Sequence, residues 1–250
     1  MKKKVPVLIM ICIVVIVLIL IYLLVPFYKA EDRKKELKNF KSDNVLENPL
    51  GWIRVQGTNI DFPIIYYNDI VDIGDPDNDI GWSFEDNKKL VNRTVVYSHN
   101  MRNVSSKPLI TDKSHRRFEQ LMSFVYYDFV KKNKYIQYTI EGKNYLFKIY
   151  SIRFQKEEYL ELGNLKNNEK KEYIDNVKKD SIYDFNVKVS DDDKLLTLVT
   201  CTRFFKNADY SFVIDARKVR KNELVRNYNV KKNSNYVKIQ KNIEGDDKNE

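Results

Sequence analysis

The chain is poor in the side chains that crosslink protein or bind transition metals, with two cysteines and two histidines among its 250 residues. Cys12 falls inside an apolar N-terminal run, so Cys201 has no intrachain partner in the remaining polypeptide, which excludes structural disulfides within the domain. His99, His115 and one available cysteine argue against a His/Cys zinc site, and neither a metal nor another cofactor is expected. A charge field of one sign is missing as well. The formal charge of +9 falls to +6 once Lys2, Lys3 and Lys4 are set aside, and the 35 acidic residues are interspersed with the basic ones. That pattern argues against a nucleic-acid partner.

Charge is absent altogether from Val5 to Val25, a run of 21 residues long enough as a helix to cross the hydrocarbon core of a bilayer. No small-residue cleavage pattern follows it, since Pro26, Phe27 and Tyr28 come next, so an uncleaved single-pass anchor is expected over residues 1–27. Lysine and arginine flank both ends of the run, and counting them alone favours the large domain staying inside. Residues 28–44, rich in Glu, Lys and Leu, read as a helical stalk.

The expected globular domain covers residues 45–220. Residues 52–67 read as two short strands around a turn at Gly57, residues 93–100 as a strand ending on His99, and residues 135–154 as a hairpin turning over Glu141-Gly142-Lys143-Asn144. Phe118 to Val130 has helix-like apolar spacing, and a Lys/Glu-rich helix lies between Leu165 and Tyr183. Asp75, Asp77 and Asp79 alternate as at the start of a calcium loop, but Ile80 stands where that loop needs glycine, so the segment reads as a solvated turn. Residues 221–250, dominated by Asn, Lys, Asp and Glu, read as a flexible tail. Many short strands and few helices predict a mainly β barrel or sandwich.

Leu196-Thr-Leu-Val-Thr-Cys201 follows the acidic turn at Asp191–Asp193 and ends on the lone thiol. A cysteine nucleophile needs a neighbouring base or positive charge, because a neutral thiol is only a few per cent thiolate near pH 7. His99 also ends a strand, so a barrel that aligned the C-terminal ends of the two strands would bring base and thiol together. The alternative is an inert core cysteine and a satisfied strand-end histidine. A papain-like order is absent: His99 precedes Cys201, and no histidine follows it.

TVVYSHNM around His99, TLVTC ending at Cys201, and GWIRVQGTNIDFPI near the start of the domain together resemble the sortases, membrane-anchored cysteine transpeptidases of Gram-positive bacteria. The helical insertion before the TLVTC strand resembles class B. The resemblance implies an eight-stranded β-barrel with flanking helices behind the N-terminal anchor. It further implies that Cys201 attacks the threonine carbonyl of a C-terminal sorting signal and that His99 serves as acid/base. A thioester acyl-enzyme is then resolved by an amine of peptidoglycan or a pilin. The implied partners are surface proteins bearing the signal and the amine acceptor, and the implied location is the cell membrane with the domain facing the wall. Asn100, Thr200 and Ser211 are implied as substrate-binding positions.

One family feature is missing. The strand after the cysteine begins with arginine in the family, and Ser211 stands in that slot here. Arg203, two residues from Cys201, is the expected surrogate, because Arg217 lies six residues beyond Ser211, about 20 Å along an extended strand. The missing arginine also motivates a second reading, a protein of this fold that binds or assembles with little or no catalysis.

Overall fold

The structure, a computed structural model, describes residues 9–20, 49–67, 80–100, 117–160, 163–202, 204–205, 209–225 and 227–245. Ten strands appear among these residues: β1 (Pro49–Val55), β2 (Asp61–Tyr66), β3 (Gly81–Ser83), β4 (Arg93–Tyr97), β5 (Tyr135–Ile140), β6 (Lys143–Lys156), β7 (Tyr183–Phe185), β8 (Leu195–Thr202), β9 (Tyr210–Lys218) and β10 (Val230–Lys232). Four helices accompany them: α1 (residues 9–20), α2 (Tyr127–Lys132), α3 (Asn167–Asp180) and α4 (Ser234–Gly245). Eight of the strands close into a barrel in the order β1-β2-β3-β4-β8-β9-β6-β5, and β7 pairs with β10 outside it. The expected mainly β, eight-stranded barrel is therefore observed.

Local chemistry explains the strand connections. Gly57 takes φ +79° between β1 and β2, a conformation that costs glycine little. Glu141 and Gly142 both take positive φ between the last β5 residue and the first of β6, the two-residue hairpin geometry that matches strand twist. Alternation then sends one set of side chains inward. Ile53, Phe62, Ile64, Val96, Phe147, Leu196, Leu198, Phe212 and Ile214 fill the barrel with other apolar residues.

The opposite face of β6, together with β4, β8 and β9, is covered by α3. Lys170, Tyr173, Ile174 and Val177 recur at helical spacing and are buried, so the helix presents one stripe to the sheet. Tyr173, Ile174 and Val177 pack on Tyr150, Leu195 and Val187. Beneath α3 lies a buried polar knot: Tyr173 Oη donates to Asp215 Oδ1 at 2.6 Å, Thr197 Oγ1 donates to the same oxygen at 2.8 Å, and Arg153 pairs with the other carboxylate oxygen.

Two expectations need revision. The stretch read as a flexible tail contains β10 and α4, and Val230, Tyr236 and Ile239 from it are buried in the main core. Its polar composition masks the three-residue spacing of Tyr236 and Ile239, and that spacing decides burial. Phe118–Val130 is not one helix but a 3-10 segment, Glu119–Val125, followed by α2, with extended backbone at Tyr126 between them. All seven residues of the 3-10 segment are buried, so no amphipathic stripe marks it.

The membrane span falls only partly within the described residues. Residues 9–20 are helical and their apolar side chains are exposed, but among the described residues no helix is long and apolar enough to cross a membrane. The remainder of the 5–25 run, the 28–44 stalk, the Asp75–Asp79 turn and His115 lie outside the described residues.

Candidate active site

Two strands that run the same way carry the two candidate catalytic residues. β4 and β8 are parallel, with Thr94 opposite Leu196, Val96 opposite Leu198 and Tyr97 opposite Val199. The pairing continues past β4, where Ser98 N donates to Val199 O at 3.3 Å and Asn100 Nδ2 donates to Cys201 O at 3.1 Å. His99 therefore lies beside Cys201 at the C-terminal end of both strands, and both belong to the face that points away from the barrel interior.

Burial along β8 shows how the thiol emerges. Every residue from Leu195 to Thr200 is buried, and Cys201 is exposed. α3 covers Leu195 and Thr197, and Val95 and Val213 flank Val199. Beyond Val199 the cover ends, leaving Cys201 as a free thiol at an open edge.

The neighbours hold the backbone on either side. Thr200 is buried, and its hydroxyl donates to Ser98 O at 2.8 Å, tying the residue before the thiol to the residue before the histidine. Ser98 Oγ donates in turn to Ile80 O at 2.7 Å. His99 packs against Trp82 with ring centroids 4.8 Å apart, and His99 O accepts from Phe118 N at 3.1 Å. Thr200 is thus a scaffold group whose hydroxyl meets backbone, whereas Asn100 meets backbone through Nδ2 and its buried Oδ1 has no hydrogen-bond partner among the described residues.

Ser211 is the residue directly opposite Cys201 in the antiparallel β8–β9 pair, and it is buried. Gln155 of β6 lies opposite Ser211 on its other side. Arg203 lies outside the described residues. Arg217 sits opposite Leu195 at the far end of β8 and is held by Glu223 through contacts of 2.6 and 2.7 Å. Arg153 shares the outer face but is engaged by Asp215.

The electrostatics leave both groups neutral at rest. Although Cys201 is exposed at its surface, its neighbours partly enclose the thiol, and that partial desolvation, reinforced by the Glu157 carboxylate, pushes it above its ordinary pKa. Burial, reinforced by the Arg117 guanidinium, pushes His99 below its own. Glu157 is anchored near the thiol because its N–H donates to Asp209 O, just past the β6–β9 ladder, at 3.1 Å. Among the described residues no group of three or more metal-binding side chains is present.

Tyr97, Trp82 and Glu157 were not singled out in the sequence. Tyr97 was accessible to the alternation rule, being two residues before His99 and so on the same face. Trp82 arrives on β3 and Glu157 on the short 3-10 turn after β6, and no local pattern specifies how either meets the site.

Comparison with known proteins agrees with this arrangement. A sequence model of the Sortase domain matches residues 53–219. Sortase B of Listeria monocytogenes serovar 1/2a is 27% identical over 184 residues, covering 69% of this chain and 68% of that protein. The X-ray structure of Clostridium perfringens sortase B superimposes with a TM-score of 0.59 at 27% identity, covering 73% of this chain and 99% of that one. A Staphylococcus aureus sortase B–substrate complex shares the fold, with a TM-score of 0.57 at 17% identity and coverage of 77% and 94%. On a domain match that spans well over half of the polypeptide, and with similarity running to sortase B members, the chain belongs to the sortase family of transpeptidases.

Proposed function

We propose that the chain is an active, class B-like sortase that cleaves a C-terminal sorting signal after threonine and transfers the resulting acyl group to an amine of peptidoglycan or a pilin. The observation that carries this reading is the parallel β4–β8 pairing, which brings His99 alongside the only described thiol on the barrel. Neutral His99 accepts the Cys201 proton as Sγ bonds to the threonine carbonyl carbon, and the imidazolium then protonates the leaving amine as the C–N bond breaks. The incoming amine reverses these roles, giving its proton to His99 as the thioester opens. Arg203 is the proposed cationic partner of the site, with Asn100, Thr200 and Ser211 shaping the groove in which the signal lies.

The same reading includes a membrane anchor in the N-terminal run and a domain outside the cell. The family suggests a cell-surface enzyme, and the exposed apolar side chains of residues 9–20 support insertion into lipid. Protease treatment of intact cells, with the domain cleaved from outside, is the expected outcome; protection of the domain contradicts it.

Ser211 opposite Cys201 favours a second reading, a binding or assembly component with little or no turnover. Incubating the full chain in detergent with quenched pentapeptides that carry threonine, together with an amine acceptor, separates the two. The enzymatic reading expects turnover abolished in Cys201→Ala and His99→Ala, and lowered ~10²-fold in Arg203→Ala. No turnover by the unmodified chain across the library supports the second reading.

A further inference from the structure

Five buried polar side-chain atoms among the described residues lack any hydrogen-bond partner, and one of them is the Tyr97 hydroxyl. A desolvated O–H without an acceptor is uncommon in native structures, and such groups recur where function uses them. Tyr97 stands opposite Val199 in the β4–β8 register, so it occupies the same outer face as His99 and Cys201, one side-chain step before each. Its ring is braced on one side by Trp82, at 6.2 Å between centroids, and by Phe84, at 5.2 Å edge-on. On the other side it packs on the cluster of Val95, Val199 and Val213, which runs across β8 to β9. The ring thus lies over the Val199–Val213 row, one side-chain step before the row that holds Cys201 and Ser211.

Burial raises the phenol well above its ordinary pKa, and Arg93, Cys201, Tyr173 and Glu157 are its electrostatic neighbours. The group therefore keeps its proton throughout the pH range in which a thiol reacts, and it remains a donor. Ser211, facing Cys201 from β9, is too short to offer the long cationic reach of an arginine. A fixed neutral donor suits a site whose nucleophile is itself neutral at rest. The proton leaving Sγ makes an imidazolium, and the opposite charge appears on the carbonyl oxygen.

We propose that the Tyr97 hydroxyl is the oxyanion donor of this enzyme, standing in for the arginine that Ser211 replaces; the assignment rests on Cys201 being the transpeptidation nucleophile. As the S–C bond forms, the carbonyl π pair moves onto oxygen and that oxygen accepts the Tyr97 O–H. When the C=O bond re-forms and the C–N bond breaks, the amine leaves with the proton from His99. Tyr97 neither gains nor loses a proton over the cycle.

The test is Tyr97→Phe in the full chain, assayed with the quenched threonine-containing pentapeptide that the unmodified chain turns over fastest. The ring and its packing survive this change, and only the O–H is lost. The expected result is a kcat lower by ~10²-fold with KM held, an unchanged rate of Cys201 alkylation by iodoacetamide, and a Tm that does not fall. Adding Ser211→Arg to Tyr97→Phe recovers most of the lost kcat, a rescue that a merely structural role of the ring does not provide. A wild-type kcat in Tyr97→Phe overturns the proposal. So does an alkylation rate that falls in step with kcat, because the hydroxyl then acts on the thiol and not on the substrate oxygen. Absence of Cys201-dependent turnover in the unmodified chain is a different failure, that of the nucleophile assignment, and it removes the proposal with it.

Discussion

Cys201 and His99 lie side by side as two neutral groups, each held so mainly by desolvation and secondarily by a charged neighbour. The Glu157 carboxylate adds to burial in raising the thiol, and the Arg117 guanidinium adds to burial in lowering the imidazole. At neutral pH the thiolate–imidazolium pair is therefore a minor form, and the nucleophile has to be produced during attack rather than stored. Glu157→Gln tests the sign of this account. Removing a negative charge favours the thiolate, so the pH midpoint for iodoacetamide alkylation of Cys201 falls. At pH 8 the rate rises roughly two- to fivefold, the size expected of one exposed charge close by. An unchanged or higher midpoint shows that Glu157 does not act on the thiol.

The element that stiffens this edge is α3. Its Tyr173 reaches Asp215 on β9 and Thr197 on β8 through one carboxylate, while Arg153 from β6 closes the other side. The Arg93 guanidinium lies 4.5 Å from the Tyr173 ring centroid, and both its Nε and Nη2 donate to Gly163 O on the connection leading into α3. One buried acid thus fastens three strands and a helix two rows below the thiol. Asp215→Ala leaves Arg153 buried and unpaired, and a loss of about 3–5 kcal/mol in unfolding free energy is expected from denaturant titration. Tyr173→Phe, which keeps the ring and removes one donor, is expected to cost about 1–2 kcal/mol. A cost below about 0.5 kcal/mol for Asp215→Ala, the range of ordinary surface changes, contradicts the idea that this knot holds α3 in place.

At the scale of the molecule, what the sequence made legible was local. The β5–β6 hairpin is legible through its Glu141–Asn144 turn, α3 through its lysine- and glutamate-rich run, and β8 through its leucine and β-branched run. Long-range pairing was less accessible. Nothing in the β3 sequence Gly81-Trp-Ser83 indicates that Trp82 ends against His99, because register between distant strands depends on closure of the whole barrel. The burial of Tyr236 and Ile239 escaped notice for the opposite reason: composition averaged over residues 221–250 outweighed two well-spaced apolar side chains. Cys201 was visible as a solitary thiol, but its exposure at the end of a fully buried strand follows from where α3 stops, which only the tertiary structure reveals.

Everything proposed for this barrel depends on whether Cys201 carries an acyl group during turnover. Intact-mass measurement of the full chain after brief incubation with a threonine-containing sorting-signal peptide, in the absence of any amine acceptor, addresses that directly. The expected result is an adduct with the mass of the peptide fragment ending in threonine, located on Cys201, discharged by hydroxylamine and absent in Cys201→Ala. Turnover of the same peptide without such an adduct, or an adduct that persists in Cys201→Ala, contradicts the account.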